Sequence, residues 1–220
     1  MSDAGGAQRF APGAALSRSA PAGSSLIATA RARVVRVHTN AVGGARGSRL
    51  LRARPRIPLT FLVVAHRPGW VRVMLPTRPN RSRGWVRRGA VRLSYTRVRV
   101  TVHPRRHLLV VRDGARVLLR APIAVGRALS PTPRGRYYVT DLVRARDPGG
   151  FYGPYALGLS GHSPVYTRFE GGDGQIGIHG TNDPGAIGHD VSHGCIRVTN
   201  AVVRRLAHVV PLGAPVTIGD

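Results

Sequence analysis

The chain has 220 residues, of which 42% are hydrophobic, a length that suits one large domain or two small ones, since domains usually run to about 100–200 residues. No apolar run approaches the ~20 residues of a membrane-spanning helix, so an integral membrane protein is excluded. The chain has a single cysteine, which excludes an intrachain disulfide. All 34 basic residues are arginine against nine acids, and residues 1–112 hold 23 arginines and one acid, which predicts attraction to polyanions such as nucleic acid, anionic lipid or anionic wall polymer.

The first 25 residues, MSDAGGAQRFAPGAALSRSAPAGSS, are dominated by Ala, Gly, Ser and Pro. Such a composition buries too little apolar surface to offset the entropy of ordering the chain. It predicts a flexible tether over residues 1–25. The stretch also lacks the continuous apolar run of a secretory signal. Two alternatives stay open: the protein is cytoplasmic, or the chain as given lacks its export segment.

Residues 26–94 alternate short β-like runs with clusters of Gly, Pro and Asn, which predicts a small all-β module. The runs include residues 30–34 and 59–64. Two further strands are centred on Trp70 and Trp85 and flank a turn-rich loop, an arrangement that resembles a bacterial SH3-like barrel. Because aromatic side chains dominate small cores, both tryptophans are interpreted as core residues and not as ligand-stacking platforms.

Residues 95–220 are predicted to form a second, mostly β module. The alternation of Val98, Val100 and Val102 predicts a half-buried strand, because successive side chains on a strand point to opposite faces. Apolar residues at helical spacing predict a late helix with Asn200 as its N-cap. The predicted elements after the first strand are a hairpin over 108–119 with its turn at 113–114, a strand over 137–143, a long connection or lid over 147–175, and the helix over 200–210.

Two short segments, IHGTN at 178–182 and SHGCIR at 192–197, hold the densest group of reactive side chains. A cysteine is a good nucleophile only as the thiolate, so a catalytic Cys195 needs a neighbouring base or positive charge. His179 and His193 are the candidate partners. Taken alone, a single cysteine is more often a small buried residue, but the neighbours of Cys195 favour a nucleophile.

The residues around Cys195 also offer groups that bind a substrate. The backbone amides of Gly194 and Cys195 can point at a developing oxyanion. If the segment is extended, Arg197 lies on the same strand face as Cys195. There it can bind a substrate carboxylate or raise the local electrostatic potential.

The two segments resemble the catalytic domain of the bacterial cell-wall L,D-transpeptidases, the YkuD type, whose signature is a His-Gly segment followed by Ser/Thr-His-Gly-Cys. The resemblance covers roughly residues 97–218 and includes Gly126, the proline loop at 130–135 and the final strand at 215–218. It implies a YkuD-type β-sandwich with one or more short helices over 95–220. The whole chain is therefore expected to be mostly β, with a small SH3-like β-barrel before the catalytic domain.

The resemblance also implies roles for individual residues. Cys195 is the nucleophile, His179 is the general base, and the carbonyl of Gly180 orients the imidazole. The other implied roles are an oxyanion hole from the amides of His193, Gly194 and Cys195, a loop shaped by Ser192 and His193, and donor-peptide contacts from Arg197 and Tyr155.

The implied reaction is acyl transfer in two steps. The Cys195 thiolate attacks the third residue of a peptidoglycan tetrapeptide stem and expels the terminal D-alanine, and an amine of a neighbouring stem converts the thioester into a 3→3 cross-link. Water in place of the amine makes the same site an L,D-carboxypeptidase. The implied partners are stem peptides, no metal or organic cofactor takes part, and the protein acts outside the cytoplasmic membrane, in the cell wall or periplasm.

Two other classes of function compete with this hypothesis. His179, His189, His193 and Cys195 are residue types that bind zinc, but their spacings match no familiar finger. The Arg-rich first half also suits a non-enzymatic binder of anionic polymer or nucleic acid. Specific nucleic-acid recognition is not expected, because aromatic residues make up only 5% of the chain and no nucleic-acid motif is present. Binding of anionic wall polymers by the first half stays open.

Overall fold

Two β-sheets built from consecutive parts of the sequence form most of the computed structural model, which describes residues 20–42, 47–168 and 171–220. The predicted tether over 1–25 lies mostly outside the described residues, and its last residue already belongs to the first strand. Both sheets agree with the mostly β fold that was predicted.

The first sheet uses strands from residues 25–96. They are β1 (Ser25–Ala30), β2 (Val34–His38), β3 (Ser48–Arg52), β4 (Thr60–Arg67), β5 (Trp70–Met74), β6 (Arg83–Arg87) and β7 (Val91–Thr96). All neighbours pair antiparallel, in the order β3-β2-β6-β5-β4-β1-β7. The likeness of this sheet to an SH3 barrel, and its independence as a domain over 26–94, remain predictions.

The local strand predictions in the first sheet have a mixed outcome. The prediction of a strand over 30–34 was wrong, because β1 ends at Ala30 and the exposed residues 31–33 turn the chain into β2. That stretch has no large apolar side chain to hold it against the core. The two Trp-centred strands are confirmed as β5 and β6, and both Trp70 and Trp85 are buried, as expected for core residues.

The second sheet uses strands from residues 98–218 and carries the single α-helix of the described residues, α1 (Asn200–Val209). Its strands are β8 (Val98–His103), β9 (Leu108–Asp113), β10 (Arg116–Pro122), β12 (Gly135–Arg144), β13 (Tyr155–His162), β14 (Gln175–His179), β16 (Ile196–Arg197) and β17 (Pro215–Ile218), and the two short strands β11 (Val125–Gly126) and β15 (Asp190–Ser192) pair apart from it. The order is β10-β9-β8-β17-β12-β13-β14-β16. Val100 and Val102 are buried, and β9 and β10 form the predicted hairpin.

Two predictions in this half need correction. The segment 147–175 is not all connection, because β13 lies in the middle of the sheet between β12 and β14. Its glycines hid the alternation of the buried residues Leu157 and Leu159. The N-cap of α1 is Thr199, whose side-chain oxygen accepts the Val202 amide at 3.4 Å. The predicted cap, Asn200, instead accepts the amide of Thr181 at 2.9 Å.

The two sheets are joined by side chains that cross between them. Tyr138 of β12 is fully buried in the core of the first sheet. Asn80, in the β5–β6 loop, bonds both backbone groups of His162: its Nδ2 donates to the carbonyl and its Oδ1 accepts the amide, each at 2.8 Å. These contacts fix the first sheet against the C-terminal end of β13. Within the described ranges, no helix has the length and apolar character that crossing a membrane requires.

Candidate active site

The two segments that hold His179 and Cys195 lie side by side at one edge of the second sheet. Strands β14 and β16 pair in parallel, with His179 opposite Arg197. The same register places Cys195 beside Gly177. Because paired residues and residues two apart on a strand share a face, Cys195, His179 and Arg197 point to one side. Cys195 and His179 both line a cavity of about 680 Å³ on that side.

His179 is held in one orientation by its neighbours. Its Nδ1 donates to the Gly180 carbonyl at 2.6 Å, which leaves Nε2 as the ring's proton acceptor. The rings of Phe151 and Tyr152 lie 5.9 and 4.9 Å from the imidazole. Burial, which leaves the residue 2% exposed, lowers the pKa of His179 to about 4, with a smaller contribution from the charge of Arg197. The imidazole is therefore neutral at pH 7.

Cys195 is partly exposed on the cavity and is a free thiol. Burial of the sulfur raises its pKa, and a hydrogen bond from the backbone of Gly177 and the charge of Arg197 oppose that effect without cancelling it. The free site holds a neutral thiol and a neutral imidazole, because burial penalises the charged form of both.

Hydrogen bonds within the chain shape the loop that presents the thiol. Gly194 has a φ of 116°, a conformation that favours glycine. Its amide donates to Ser192 Oγ at 3.0 Å, and Ser192 Oγ donates to the carbonyl of Cys195 at 2.6 Å. Ser192 therefore braces the loop from within. The Gly194 amide is already used, so its predicted part in an oxyanion hole would require this bond to break.

The other two predicted residues next to the thiol have aromatic neighbours. Arg197 is mostly buried, and its guanidinium carbon lies 4.5 Å from the centre of the Phe151 ring. Among the described residues, its Nε has no hydrogen-bond partner. The ring of His193 lies 5.5 Å from that of Tyr166. The oxyanion-hole role of His193 and the substrate role of Arg197 remain predictions.

Tyr155 is next to the site through its backbone, where its carbonyl accepts the Gly180 amide at 3.3 Å, but it is not among the residues that line the cavity. It begins β13 and packs, partly buried, against the core of the second sheet. The aromatic residues Phe151 and Tyr152 line the cavity instead. Neither of these two residues was predicted from the sequence. They form an aromatic pair inside the glycine- and proline-rich stretch DPGGFYGP, where no helix or strand needs large side chains for packing. Two adjacent aromatic residues in such a loop were a signal for a site. The predicted contact of Tyr155 with a donor peptide remains a prediction.

No group of three or more metal-binding side chains comes together in the part of the chain that the structure describes. His179 is closed off on its Nδ1 side by the Gly180 carbonyl. His189 lies exposed on the loop before β15. The arrangement that these residues do form is a thiol with an oriented neutral imidazole, which suits proton transfer and nucleophilic attack.

Comparison with known proteins adds an independent finding. Over 103 residues the chain is 46% identical to a Bacillus subtilis protein named as an L,D-transpeptidase, YkuD. The aligned region covers 47% of this chain and 54% of that protein. A Bacillus licheniformis protein with the same name is 41% identical over 122 residues, or 56% of this chain and 64% of that protein. The chain thus spans little more than half the length of the curated relatives it matches.

A similar solved structure and a family match complete the comparison. The crystal structure of L,D-transpeptidase 3 from Mycobacterium tuberculosis is similar with a TM-score of 0.48 and 17% identity, over 72% of this chain and 93% of that one. Residues 97–218 match the family described as YkuD, L,D-transpeptidase catalytic domain. The chain therefore belongs to the YkuD family of L,D-transpeptidase catalytic domains.

Proposed function

We propose that the protein is a peptidoglycan L,D-transpeptidase that forms 3→3 cross-links through a thioester on Cys195. One observation carries the proposal: the only thiol of the chain opens onto the same cavity as a buried imidazole whose Nε2 accepts protons. The family match over residues 97–218 supplies the reaction class. The substrate is a tetrapeptide stem, as the resemblance implied.

The protonation states of the two groups define the first step. His179 is neutral and Cys195 is a thiol, so Nε2 takes the proton from Sγ as the sulfur attacks the carbonyl carbon of the third residue. The imidazolium then gives this proton to the amine of the departing D-alanine, and a thioester remains. The buried positive charge exists only during this step, and Gly180 supports it through its carbonyl.

The second step repeats the proton transfers in reverse. An amine of another stem loses its proton to His179 as it attacks the thioester, and the thiol is restored when the carbon–sulfur bond breaks. If water attacks, the product is a tripeptide, and the protein is an L,D-carboxypeptidase. We propose that the amides of His193 and Cys195 stabilise the oxyanion, with Gly194 joining only if its bond to Ser192 breaks. No step requires a metal or organic cofactor.

This function places the protein outside the cytoplasmic membrane, where peptidoglycan is cross-linked. The arginine-rich first half, with one acid among residues 1–112, suits contact with anionic wall polymers in that location. Such contact is separable from the chemistry. Replacing Cys195 by Ala should abolish product formation and leave the binding of a polyanion such as polyphosphate unchanged.

The experiment is incubation with purified disaccharide-tetrapeptide, followed by mass analysis of the products. A cross-linked dimer supports transpeptidation, and a tripeptide alone supports the carboxypeptidase. Cys195→Ala is the control and should release no D-alanine. Release of D-alanine by that variant, or unchanged substrate with the wild-type protein, would contradict the proposal.

A further inference from the structure

A single peptide group, the one that joins Gly180 to Thr181, carries the hydrogen bond that orients the imidazole of His179. Its carbonyl, on Gly180, accepts Nδ1 of His179 at 2.6 Å. Its amide, on Thr181, donates to Oδ1 of Asn200 at 2.9 Å. Because a peptide group is planar and almost always trans, its N–H and C=O bonds point in opposite directions and turn together. The bond to Asn200 therefore fixes the direction in which the carbonyl meets the imidazole.

The other hydrogen bonds of this peptide segment hold it less firmly. The Gly180 amide donates to the Tyr155 carbonyl at 3.3 Å, which is long for an N–H···O bond. The Thr181 hydroxyl bonds only to the backbone of Asp183, two residues further along the chain, at 3.0 and 3.3 Å. In the described structure, Asn200 therefore makes the shorter of the two bonds that tie residues 180 and 181 to another element.

The carboxamide oxygen of Asn200 also lies against two glycines. A Cβ added to Gly153 or to Gly180 would collide with Asn200 Oδ1. The two glycine backbones are themselves close, because a Cβ on Gly153 would lie 2.7 Å from the Gly180 Cα. Gly153 has a φ of 61°, a left-handed conformation that favours glycine. Asn200 therefore contacts both the segment that follows His179 and the loop that ends at Gly153.

The loop that ends at Gly153 covers the imidazole. Phe151 and Tyr152 directly precede this glycine, and their rings lie 5.9 and 4.9 Å from that of His179. The Gly153 amide donates to the Gly150 carbonyl at 2.9 Å, so the loop turns back on itself there. The same side chain that fixes the Gly180 carbonyl thus also abuts the loop that buries the ring.

The helix α1 does not explain why residue 200 is an asparagine. Its N-cap is Thr199, whose Oγ accepts the Val202 amide at 3.4 Å. Asparagine inside a helix is less favourable than alanine, so helix propensity gives no reason for it either. Only the oxygen of a carboxamide can accept an N–H, so the bond from Thr181 also determines which way the amide of Asn200 faces. The bond to Thr181 is the feature that requires this side chain.

We propose that Asn200 is a positioning residue for the reaction: it sets the direction of the Gly180 carbonyl and thereby keeps His179 in the tautomer whose Nε2 accepts a proton. This inference rests on the proposed function, in which Nε2 takes the proton of Cys195. An acceptor on the N–H of a peptide group also polarises its C=O, which strengthens the bond to Nδ1. Asn200 acts through this peptide group and touches none of the reacting atoms.

Loss of the Asn200 carboxamide should affect the chemical step and not the binding of the donor. Without its bond to Asn200, the Gly180 carbonyl can rotate away from Nδ1, and the imidazole can then carry its proton on Nε2. A ring in that tautomer cannot take a proton from the thiol. Asn200 is not among the residues that line the cavity, so donor binding should persist. A purely structural role would lower stability and leave the tautomer and the rate of the folded protein unchanged.

The experiment combines nitrogen-15 NMR of histidine-labelled full chain at pH 7 with the kinetics of thioester formation. The His179 signals are assigned by their loss in His179→Gln. We expect the proton on Nδ1 alone in the wild type and a second population with the proton on Nε2 in Asn200→Ala. The maximal rate of thioester formation should fall about tenfold or more. The concentration of tetrapeptide donor at half-saturation should change less than about twofold.

Three further variants make the test specific. Asn200→Asp keeps an acceptor oxygen and should retain the single tautomer and a rate within about threefold of the wild type. Gly153→Ala keeps Asn200 but crowds its oxygen, so it should behave like Asn200→Ala. The matched control is Asn80→Ala, which removes two hydrogen bonds of another asparagine far along the chain and should keep both the tautomer and the rate.

Two results would overturn the inference: a single Nδ1 tautomer with a wild-type rate in Asn200→Ala, or a loss of rate in Asn200→Asp as large as in Asn200→Ala. If Asn200→Ala does not fold, Gly153→Ala replaces it in both comparisons. The proposed function fails separately, because the NMR measurement needs no substrate. A tautomer that depends on Asn200 in a protein that forms no thioester would support the positioning and refute the reaction. Thioester formation with a tautomer that ignores Asn200 would do the reverse.

Discussion

The neutral, buried state of His179 predicts how the stability of the protein depends on pH. Unfolded histidine has a pKa of about 6.5, and in the folded protein burial lowers it to about 4. Between these values the unfolded chain binds a proton that the folded chain does not. The stabilisation is complete above pH 6.5 and is lost as the pH falls through this window. A shift of this size corresponds to about 3 kcal/mol of unfolding free energy.

The assay is urea unfolding of the wild-type protein and of His179→Gln at pH 7 and pH 4. Other groups titrate equally in both, so they cancel in the difference between the two proteins. The wild-type free energy of unfolding should fall by about 3 kcal/mol more than that of the variant. His66→Gln, which replaces an exposed histidine of β4, should behave as the wild type. Equal losses in wild type and His179→Gln would refute the buried, neutral imidazole.

Three further predictions follow from individual contacts. The rate of thioester formation should rise through pH 4 and level off by pH 6.5, because His179 is the acceptor; a midpoint near 6.5 in a stopped-flow profile would contradict this. Gly158→Ala should slow thioester formation by about tenfold or more, because the added Cβ would displace the Asp141 carboxylate that lines the cavity, whereas an unchanged rate would show that this part of the cavity does not hold the donor. Asn80→Ala should destabilise the protein by about 1–3 kcal/mol in urea unfolding through its lost bonds to His162, and no change would mean that the sheets are held elsewhere.

The nucleophile loop could be predicted because its residues are neighbours in the sequence. Cys195 and His179 stand in two short segments whose order and glycines are themselves the signal. The structure brings these segments together by pairing β14 with β16. The neutrality of the pair could not be predicted, because the pKa of each group depends on burial under Phe151 and Tyr152 and on strand neighbours.

The contact between Arg54 and Asp141, which both line the cavity, could not be predicted from the sequence for a different reason. Arg54 and Asp141 are separated by 87 residues and meet only through the register of β12 with β13 and the docking of the first sheet. In the sequence, Arg54 is one arginine among 34 and looks like part of a solvated basic surface. Strand β13 was not predicted, because it has glycines at positions where a buried strand usually has apolar residues.

The account depends most on Cys195 carrying an acyl group. Intact-protein mass spectrometry after brief mixing with a tetrapeptide donor, quenched in acid, tests this directly. We predict one adduct whose mass equals the tetrapeptide minus D-alanine, removable by hydroxylamine and absent from Cys195→Ala. An adduct that persists in Cys195→Ala, or release of D-alanine with iodoacetamide-blocked Cys195, would contradict it.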